Sequence, residues 1–283
     1  MSGTEIMALR ALTAGDLDAA HGLSRAVAWP HRIEDWRLMS SLGHGVAAVD
    51  ASDALQGVAM WWPQGADFAT LGMVIVSPSL QKSGVGRRLM AAAVEAGGER
   101  RIQLNATVEG LRLYRSFGFE EIGGIHQHQG VIDRSASAVA TEAELRPLTA
   151  ADHGAVLSLD LRATGVDRTA ILAALLPLSR GTVLERRGAV AGFLLERDFG
   201  RGKLLGPLVA ADEDDALALL SAAAVRTGGF LRADIPDDAP AIARWLDGAG
   251  LGRAGAVRTM LRGGARLEDR GARVYGLASQ ALG

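Results

Sequence analysis

The sequence has 283 residues, enough for about two domains of ordinary size, and 48% of them are hydrophobic. Its 30 basic and 32 acidic residues leave a formal net charge of −2, which argues against a general nucleic-acid or membrane binder. The absence of cysteine excludes disulfides, thiolate metal sites and a cysteine nucleophile.

We looked for the sequence patterns of a secretory signal and of a membrane span, and expect neither. Residues 1–7 contain Glu5 and show no basic segment followed by an apolar one, so we expect no secretory signal. No apolar run reaches the roughly 18 residues that a membrane span needs. We therefore expect a soluble, cytoplasmic protein that acts as a monomer or homodimer. The abundance of Arg, Ala and Gly over Lys favours a bacterial origin.

The first half of the sequence alternates strands and helices. Leu89, Met90, Ala93 and Val94 recur at helical spacing and predict one amphipathic helix. In chain order we predict a strand at 6–12, helices at 14–24 and 31–41, strands at 45–50, 55–62 and 69–77, a helix at 86–96, a strand at 102–107, a helix at 109–117 and a strand region at 119–129.

The second half predicts the same order of elements. Because strands run together and helices interrupt them late, the fold class is α/β with a mixed sheet (α+β), present twice. Residues 273–278 could add a strand or pack across the two domains. The predicted helices are 152–160, 168–178, 213–226 and 239–249, and the predicted strands after the first are 182–187, 189–197, 203–210, 230–235 and 253–261.

The chain also repeats itself in sequence. The octapeptide at 9–16 returns with changes at 145–152, and the stretch at 112–119 is echoed at 244–251. Both pairs lie at nearly the same offset, which two domains of the same fold explain. We predict a first domain over residues 1–132, a small polar linker over 133–143 and a second domain over 144–283.

A glycine-rich basic loop follows the buried strand at 69–77. Gly84 and Gly86 let the backbone approach a ligand, and the free N–H groups of the next helix attract anions. Lys82, Arg87 and Arg88 add positive charge. The loop is not a Walker loop, and Leu89 excludes the pattern Gly-x-Gly-x-x-Gly. An ordinary glycine turn that caps a helix is the alternative.

A second motif points to a family. The run Gln81–Gly86 after a strand resembles the acyl-CoA pyrophosphate loop of the GNAT N-acetyltransferases, written Gln/Arg-x-x-Gly-x-Gly/Ala. About 30 residues later, Leu111–Phe119 resembles the family's second motif, a helix with Leu-Tyr followed by Gly-Phe. Asn105 stands in the intervening strand, where the family often has a polar residue near the cofactor. The resemblance covers nearly the whole first half.

The resemblance implies how acetyl-CoA would be held as co-substrate. The strands at 69–77 and 102–107 would splay apart around the thioester, the first offering backbone groups to the pantetheine arm. Loop amides would hold the pyrophosphate. The implied cofactor-binding residues are Val74, Ile75, Val76, Gln81, Lys82, Ser83, Gly84, Val85, Gly86, Arg87 and Asn105.

Tyr114 matches the family tyrosine that commonly protonates the departing thiolate. A phenol with a pKa of about 10 can donate to a thiolate of similar basicity. Packing of an aromatic ring on a short helix is the alternative. Tyr114 is one of only two tyrosines in the chain.

The acceptor side carries weaker signals, and no residue identifies a general base. His126 and His128 alternate in a predicted strand and so share a face. They are candidate substrate contacts, or with Gln127 and Gln129 an ordinary polar surface. Trp29, in the stretch Trp29-Pro30-His31, is a further candidate because this family often builds acceptor specificity there. No metal site is expected, since no ligand spacing is recognisable.

The second domain lacks both motifs. Asp212, Glu213, Asp214 and Asp215 stand where the basic loop should be, and such acids suit a helix N-terminus but would repel a pyrophosphate. Leu246 replaces the tyrosine. The sequence thus resembles tandem GNAT proteins with one intact and one degenerate domain, whose degenerate half can shape the acceptor site.

These patterns predict an enzyme that transfers acetyl from acetyl-CoA to a small-molecule primary amine by direct attack. Direct attack fits because the chain has no cysteine and no serine in a recognisable nucleophile motif. The alternatives are a protein or peptide N-acetyltransferase and a non-catalytic acyl-CoA sensor.

Overall fold

The computed structural model describes residues 8–265 and 270–283. The first half contains the predicted elements in the predicted order, although residues 6 and 7 of the first predicted strand lie outside the described residues. These elements are β1 (Ala8–Ala11), α1 (Leu17–Ala26), α2 (Ile33–Leu42), β2 (His44–Val49), β3 (Leu55–Gln64), β4 (Phe68–Val76), α3 (Val85–Gly97), β5 (Arg101–Ala106), α4 (Leu111–Arg115) and β6 (Glu120–Val131).

The second half repeats this order and adds a strand at its end. Residues 133–143 connect the halves without a helix or strand. The elements are β7 (Glu144–Pro147), α5 (His153–Thr164), α6 (Thr169–Leu175), β8 (Arg180–Arg186), β9 (Ala189–Phe199), β10 (Gly202–Ala210), α7 (Glu213–Thr227), β11 (Phe230–Pro236), α8 (Pro240–Gly248), β12 (Arg253–Arg262) and β13 (Arg273–Gly276).

The repeated octapeptides fold into the same local structure. The Asp16 carboxylate accepts hydrogen bonds from the backbone N–H and hydroxyl of Thr13, both at 2.8 Å, and pairs with Arg10. In the second half, Asp152 accepts the same bonds from Thr149 and pairs with Arg146. The sequence repeat therefore encodes one helix-start motif twice.

All described strands join one mixed 13-stranded sheet, and its order shows that the two halves exchange strands. β12 lies between β5 and β6, antiparallel to both. β6 in turn pairs with β11. Each half thus places its late strand next to the other half's β5 or β11, so neither half forms its part of the sheet alone.

The sheet opens at one place in the first half. β4 and β5 run parallel and pair only from Phe68 to Leu71 on β4. Beyond this point the two strands diverge, and Met73 adopts a positive φ of 52°. The rest of β4 keeps its pairing with β3 on the other side. The wedge between β4 and β5 leaves one backbone edge of β4 open for a ligand.

Helix α3 is fixed against the strands that flank this wedge. Its apolar face, with Leu89, Met90 and Ala93 fully buried, forms one core cluster with β4 and β5. Gly57 of β3 permits this close packing, because a Cβ there would lie 3.0 Å from Leu89 Cδ1. The start of α3 is therefore held rigidly at the mouth of the wedge.

Candidate active site

A cavity of about 300 Å³ lies at the wedge and is built by both halves of the chain. The first half supplies the diverging strands, the connection between α1 and α2, and Tyr114. The second half supplies residues of β11 and β12, Phe199 and a segment near the end of the chain. The lining residues are Trp29, Pro30, His31, Met39, Leu71–Val74, Leu104, Asn105, Thr107, Tyr114, Gln127, Phe199, Arg232, Gly255–Val257 and Ser279–Ala281.

The glycine-rich loop leads into the start of α3 beside this cavity. Lys82 and Gly84 have positive φ values of 65° and 93°, and Gly84 immediately precedes the helix. The first N–H groups of α3, those of Val85, Gly86 and Arg87, have no acceptor one turn earlier in the helix. Gln81, Lys82 and Ser83 are exposed. The residues present therefore fit an anionic group such as a pyrophosphate.

Arg87 reaches from α3 to the second motif. Its guanidinium lies 5.3 Å from the Phe117 ring centroid, and its Nη1 donates a hydrogen bond to the Ser116 hydroxyl at 3.1 Å. The two sequence motifs thus contact each other in the fold. Val74 lines the cavity, Ile75 is buried beneath it, and Val76 pairs with Gly57 of β3.

Tyr114 lies at the cavity on α4. Its ring packs edge-on against Phe119 at 6.2 Å and lies over Gly110, where a Cβ would come within 2.6 Å of Cε2. No described residue hydrogen-bonds its hydroxyl. Burial raises the pKa of Tyr114 to about 12, so the phenol stays protonated at neutral pH. The group can act as a proton donor.

Asn105 lines the cavity, but its amide bonds other parts of the chain. Its Nδ2 donates to the Gln280 carbonyl at 2.8 Å, and its Oδ1 accepts from the Thr259 hydroxyl at 2.8 Å. Asn105 therefore ties β5 to β12 and to the segment 277–283. Its contact with a cofactor stays a prediction.

His126 and His128 share a face, with ring centroids 6.5 Å apart, as the alternation predicts. That face is not the cavity face. The side-chain alternation of β6 directs Gln127 to the cavity and the two histidines to the other side. His128 is buried, and its Nδ1 lies 3.0 Å from the Leu251 carbonyl. Neither histidine lines this cavity, and their contact with a substrate stays a prediction.

Trp29 does line the cavity, within an aromatic cluster around His31. The His31 ring lies 5.8 Å from Trp29 and 5.7 Å from Phe199, edge-on to both. Its Nδ1 has no hydrogen-bond partner among the described residues. Burial lowers the pKa of His31 to about 4, so the imidazole is neutral at pH 7.

Many cavity residues were not candidates from the sequence, and four of them have polar or aromatic side chains that the arguments below use. Gln127 alternates with the histidines that were singled out, and Phe199, Arg232 and Gln280 come from the second half. No motif marks them, because they reach the site only through the strand exchange and the segment 277–283.

The second half has closed the equivalent of the loop site. Asp212 caps α7 by accepting from the Asp215 N–H at 2.9 Å, and Asp215 pairs with Arg186. The Glu213 carboxylate accepts from the N–H groups of Ala241 and Ile242 at the start of α8. The predicted acidic cap is confirmed, and three carboxylates occupy the surroundings of the helix start.

β13 fills the wedge of the second half. β10 and β11 pair only near Lys203 and Leu204 and then diverge, like β4 and β5. β13 pairs with β10 beyond this point, and the Leu277 N–H donates to the Asp234 carbonyl on β11. A Cβ on Gly206 would lie 2.0 Å from the Leu277 carbonyl oxygen, which shows how closely the chain packs there.

Family models of the acetyltransferase (GNAT) domain match residues 42–121 and residues 156–276. The chain belongs to the GNAT acetyltransferase family. It carries two GNAT domains in tandem on a mixed α/β sheet, as the sequence motifs predict. The second family match covers the half that lacks both motifs.

Individual relatives agree with this assignment. Uncharacterized N-acetyltransferase YitH of Bacillus subtilis (strain 168) is 30% identical over 172 residues, which are 60% of this chain and 61% of that protein. A proposed acetyltransferase from Pyrococcus horikoshii has a similar fold, with a TM-score of 0.80 at 21% identity over 98% of this chain and 96% of its own. A GCN5-related N-acetyltransferase from Sphaerobacter thermophilus reaches a TM-score of 0.64 at 14% identity, covering 92% and 98% of the two chains.

The described residues contain no group of three or more His, Cys, Asp or Glu side chains that could hold a metal ion. None of their helices is both long and apolar enough to cross a membrane.

Proposed function

We propose that this protein transfers the acetyl group of acetyl-CoA to the primary amine of a small molecule in the cavity between β4 and β5. The observation that carries the proposal is the open wedge, which has free helix amides at one end and a protonated tyrosine beside it. The thioester supplies the activated acetyl group. The residues of the chain bind it, orient it and supply a proton.

Binding rests on backbone groups. The amides at the start of α3 and the exposed loop from Gln81 to Gly84 would hold the pyrophosphate, with Lys82 and Arg87 adding positive charge. The open edge of β4, at Val74 and Val76, would pair with the amides of the pantetheine arm. The same edge in the second half is taken by β13.

The reaction needs two proton movements. The amine nitrogen attacks the thioester carbonyl carbon, the C–S bond breaks, and the departing sulfur takes the proton of the Tyr114 hydroxyl. The Tyr114 phenolate regains a proton from water. The amine must also lose a proton, and no Asp or Glu among the described residues lines the cavity. His31, with a pKa of about 4, is too weak a base to hold that proton at neutral pH, so we infer that water in the cavity carries it away.

The second half serves the site as a wall. It contributes Phe199, Arg232, β12 and residues 279–281 to the cavity, while its own wedge and helix start are occupied. We propose one acetyl-CoA site per chain.

The test uses the whole chain, because the strand exchange leaves each half without a neighbouring strand. Calorimetry should give one acetyl-CoA per chain. CoA release with a panel of amines can be followed with a thiol reagent without background, since the protein has no cysteine. No binding would refute the proposal, and two sites would refute the role given to the second half. Binding without turnover of any amine would indicate the sensor.

A further inference from the structure

We propose that the acceptor is a primary amine that also carries an anionic group, a carboxylate or a phosphate, and that Arg232 receives this group. The inference rests on the proposed acetyl transfer and names the substrate class of that site. It starts from the charges of the cavity rather than from its size.

No carboxylate among the described residues lines the cavity to pair with a cation. Among the described lining residues there is no Asp, Glu or Lys, and Arg232 is the single charged side chain. An acceptor with several ammonium groups would lose water on entering and find no carboxylate to replace it. Polyamines and other polycations are therefore poor substrates for this site.

Arg232 is held in one orientation. Its Nε and Nη2 donate to both carboxylate oxygens of Asp234 at 2.9–3.2 Å, and Asp234 is fully buried. The guanidinium also lies over the Phe199 ring, 5.3 Å from its centroid. Nη1 has no acceptor among the described residues, so its N–H groups are free for a ligand in the cavity. A fixed guanidinium with a free edge is suited to an anion.

Asp234 does not cancel the positive charge of this end of the cavity. Arg197 lies on the Phe199 ring as well, at 4.9 Å, and is buried with backbone carbonyls rather than a carboxylate as its hydrogen-bond partners. Burial lowers the pKa of Arg197 to about 10, which still leaves it charged at pH 7.

The surrounding charges leave one positive charge in excess. Arg32 is paired with the buried Asp35, and Lys203 is paired with the exposed Asp198. The cations near this end of the cavity are Arg32, Arg197, Lys203 and Arg232, and the carboxylates are Asp35, Asp198 and Asp234. This set has four positive and three negative charges. The neutral His31 adds no charge. An anionic group of the acceptor would balance the set.

The remaining polar contacts are neutral. The Gln280 amide donates to Asp234 at 3.1 Å and lies 3.4 Å from the Gln127 amide oxygen. Both amides line the cavity together with Arg232. An acceptor would therefore be held by its anionic end on Arg232, with its amine pointing to the thioester between β4 and β5.

The test compares related acceptors with and without an anionic group, at a pH where the amine of each is partly unprotonated. Phenylalanine and phenylalaninamide form one pair, phosphoethanolamine and ethanolamine a second, and spermidine represents polycations. We expect kcat/KM to be about tenfold to a hundredfold higher for the anionic member of at least one pair. This is the gain that one charge-assisted hydrogen bond gives. The pair with the larger ratio distinguishes a carboxylate from a phosphate. Equal or inverted ratios, or spermidine as the best acceptor, would overturn the inference.

The variant R232Q/D234N removes both charges together and so avoids leaving Asp234 buried without a partner. We expect the preference for the anionic acceptor to fall to about one, with acetyl-CoA affinity unchanged. The matched control is R186Q/D215N, which removes another arginine and its buried carboxylate partner far from the cavity. This control should keep the preference. An unchanged preference in R232Q/D234N would overturn the inference.

The inference can fail separately from the proposed function. If no amine is acetylated, the proposed function fails. Binding of N-acetylphenylalanine and of its amide, measured by thermal shift in the presence of CoA, then still tests the anion site. Tighter binding of the carboxylate by the wild type, lost in R232Q/D234N, supports the inference, and equal binding refutes it.

Discussion

The two wedges of the sheet have the same strands but different contents. In the first half, β4 and β5 diverge and nothing from the described chain pairs with the free edge of β4. In the second half, β10 and β11 diverge in the same way and β13 takes the free edge. A strand can satisfy there the backbone groups that a ligand would otherwise satisfy. The fold tolerates the wedge in both halves, and only the wedge of the first half has an open edge for a ligand.

The starts of helices α3 and α7 differ in the same way as the two wedges: the first is open and the second is occupied. The α3 start presents glycines and free amides, whereas the α7 start is capped by Asp212 and surrounded by Glu213 and Asp215. Both solutions satisfy a helix N-terminus, one with an external anion and one with internal carboxylates. This difference supports the proposal that the first half binds acyl-CoA and the second half supports it, and four experiments test that proposal.

The largest effect is expected for Tyr114→Phe. Without the hydroxyl, the departing thiolate loses its proton donor, so turnover should fall about 10²- to 10⁴-fold. Acetyl-CoA affinity by calorimetry should not change. The control Tyr275→Phe alters the other tyrosine, which is buried in the second half, and should leave turnover within about threefold if the variant folds normally. Equal losses in both variants would contradict the proton-donor role.

The next effect is expected for Gly84→Glu, which gives the first helix start the charge of the second. Repulsion of the pyrophosphate should weaken acetyl-CoA binding at least about tenfold. Gly188→Glu is a matched control, because Gly188 also has a positive φ, 75° against 93° for Gly84, and no atom within 4 Å of an added Cβ. If calorimetry shows the same loss of acetyl-CoA affinity in Gly84→Glu and Gly188→Glu, the cause is backbone strain and not the charge at the helix start.

A smaller effect is expected for Gly206→Ala, which tests the filled wedge. The added Cβ would clash with the Leu277 carbonyl and shift the chain that leads to residues 279–281 of the cavity. We expect the free energy of unfolding to fall by about 1–3 kcal/mol and the KM for the acceptor to rise. The control Gly192→Ala would place a Cβ 2.9 Å from Leu219 Cδ1 and 3.1 Å from the Val209 carbonyl oxygen, and none of these residues lines the cavity. It should cost stability without changing KM.

The smallest effect is a pH dependence of stability from His31. Its pKa is about 4 in the folded protein and about 6.5 when unfolded, so the unfolded chain binds the extra proton in this window. Stability should be full above pH 6.5 and decline as the pH falls to 4, by about 1–2 kcal/mol because the ring borders an open cavity. In His31→Gln, the free energy of unfolding measured by chemical denaturation should depend less on pH between 4 and 6.5. A smaller dependence from His126 should remain, because burial also lowers the pKa of that residue. An unchanged slope would contradict the assignment.

The sequence predicted the parts of the site that local chemistry determines. The Gly84–Gly86 turn and the helix behind it follow from short patterns of backbone requirement and hydrophobic spacing, whereas Tyr114 was singled out by the resemblance of Leu111–Phe119 to a family motif. The sequence also predicted the acidic start of α7, because helix capping depends on neighbouring residues in the sequence. The internal repeat predicted the shared element order.

The missed features all depend on contacts between distant parts of the chain. Strand alternation shows that His126 and His128 share a face, but not which face meets the cavity, since that depends on the partner strands β11 and β12. Arg232 and Gln280 enter the site through the same long-range arrangement. A period-2 pattern defines two faces of a strand and leaves their surroundings open.

The exchanged strands have a consequence for how the protein forms during synthesis. β5 needs β12 as its neighbour, and these strands pair residues such as Asn105 and Thr259 that are far apart in the chain. The sheet around the catalytic cavity therefore cannot close until the ribosome has released most of the second half. Such distant pairing slows folding and leaves strand edges exposed in the nascent chain. The cavity therefore forms only after both halves have been synthesised.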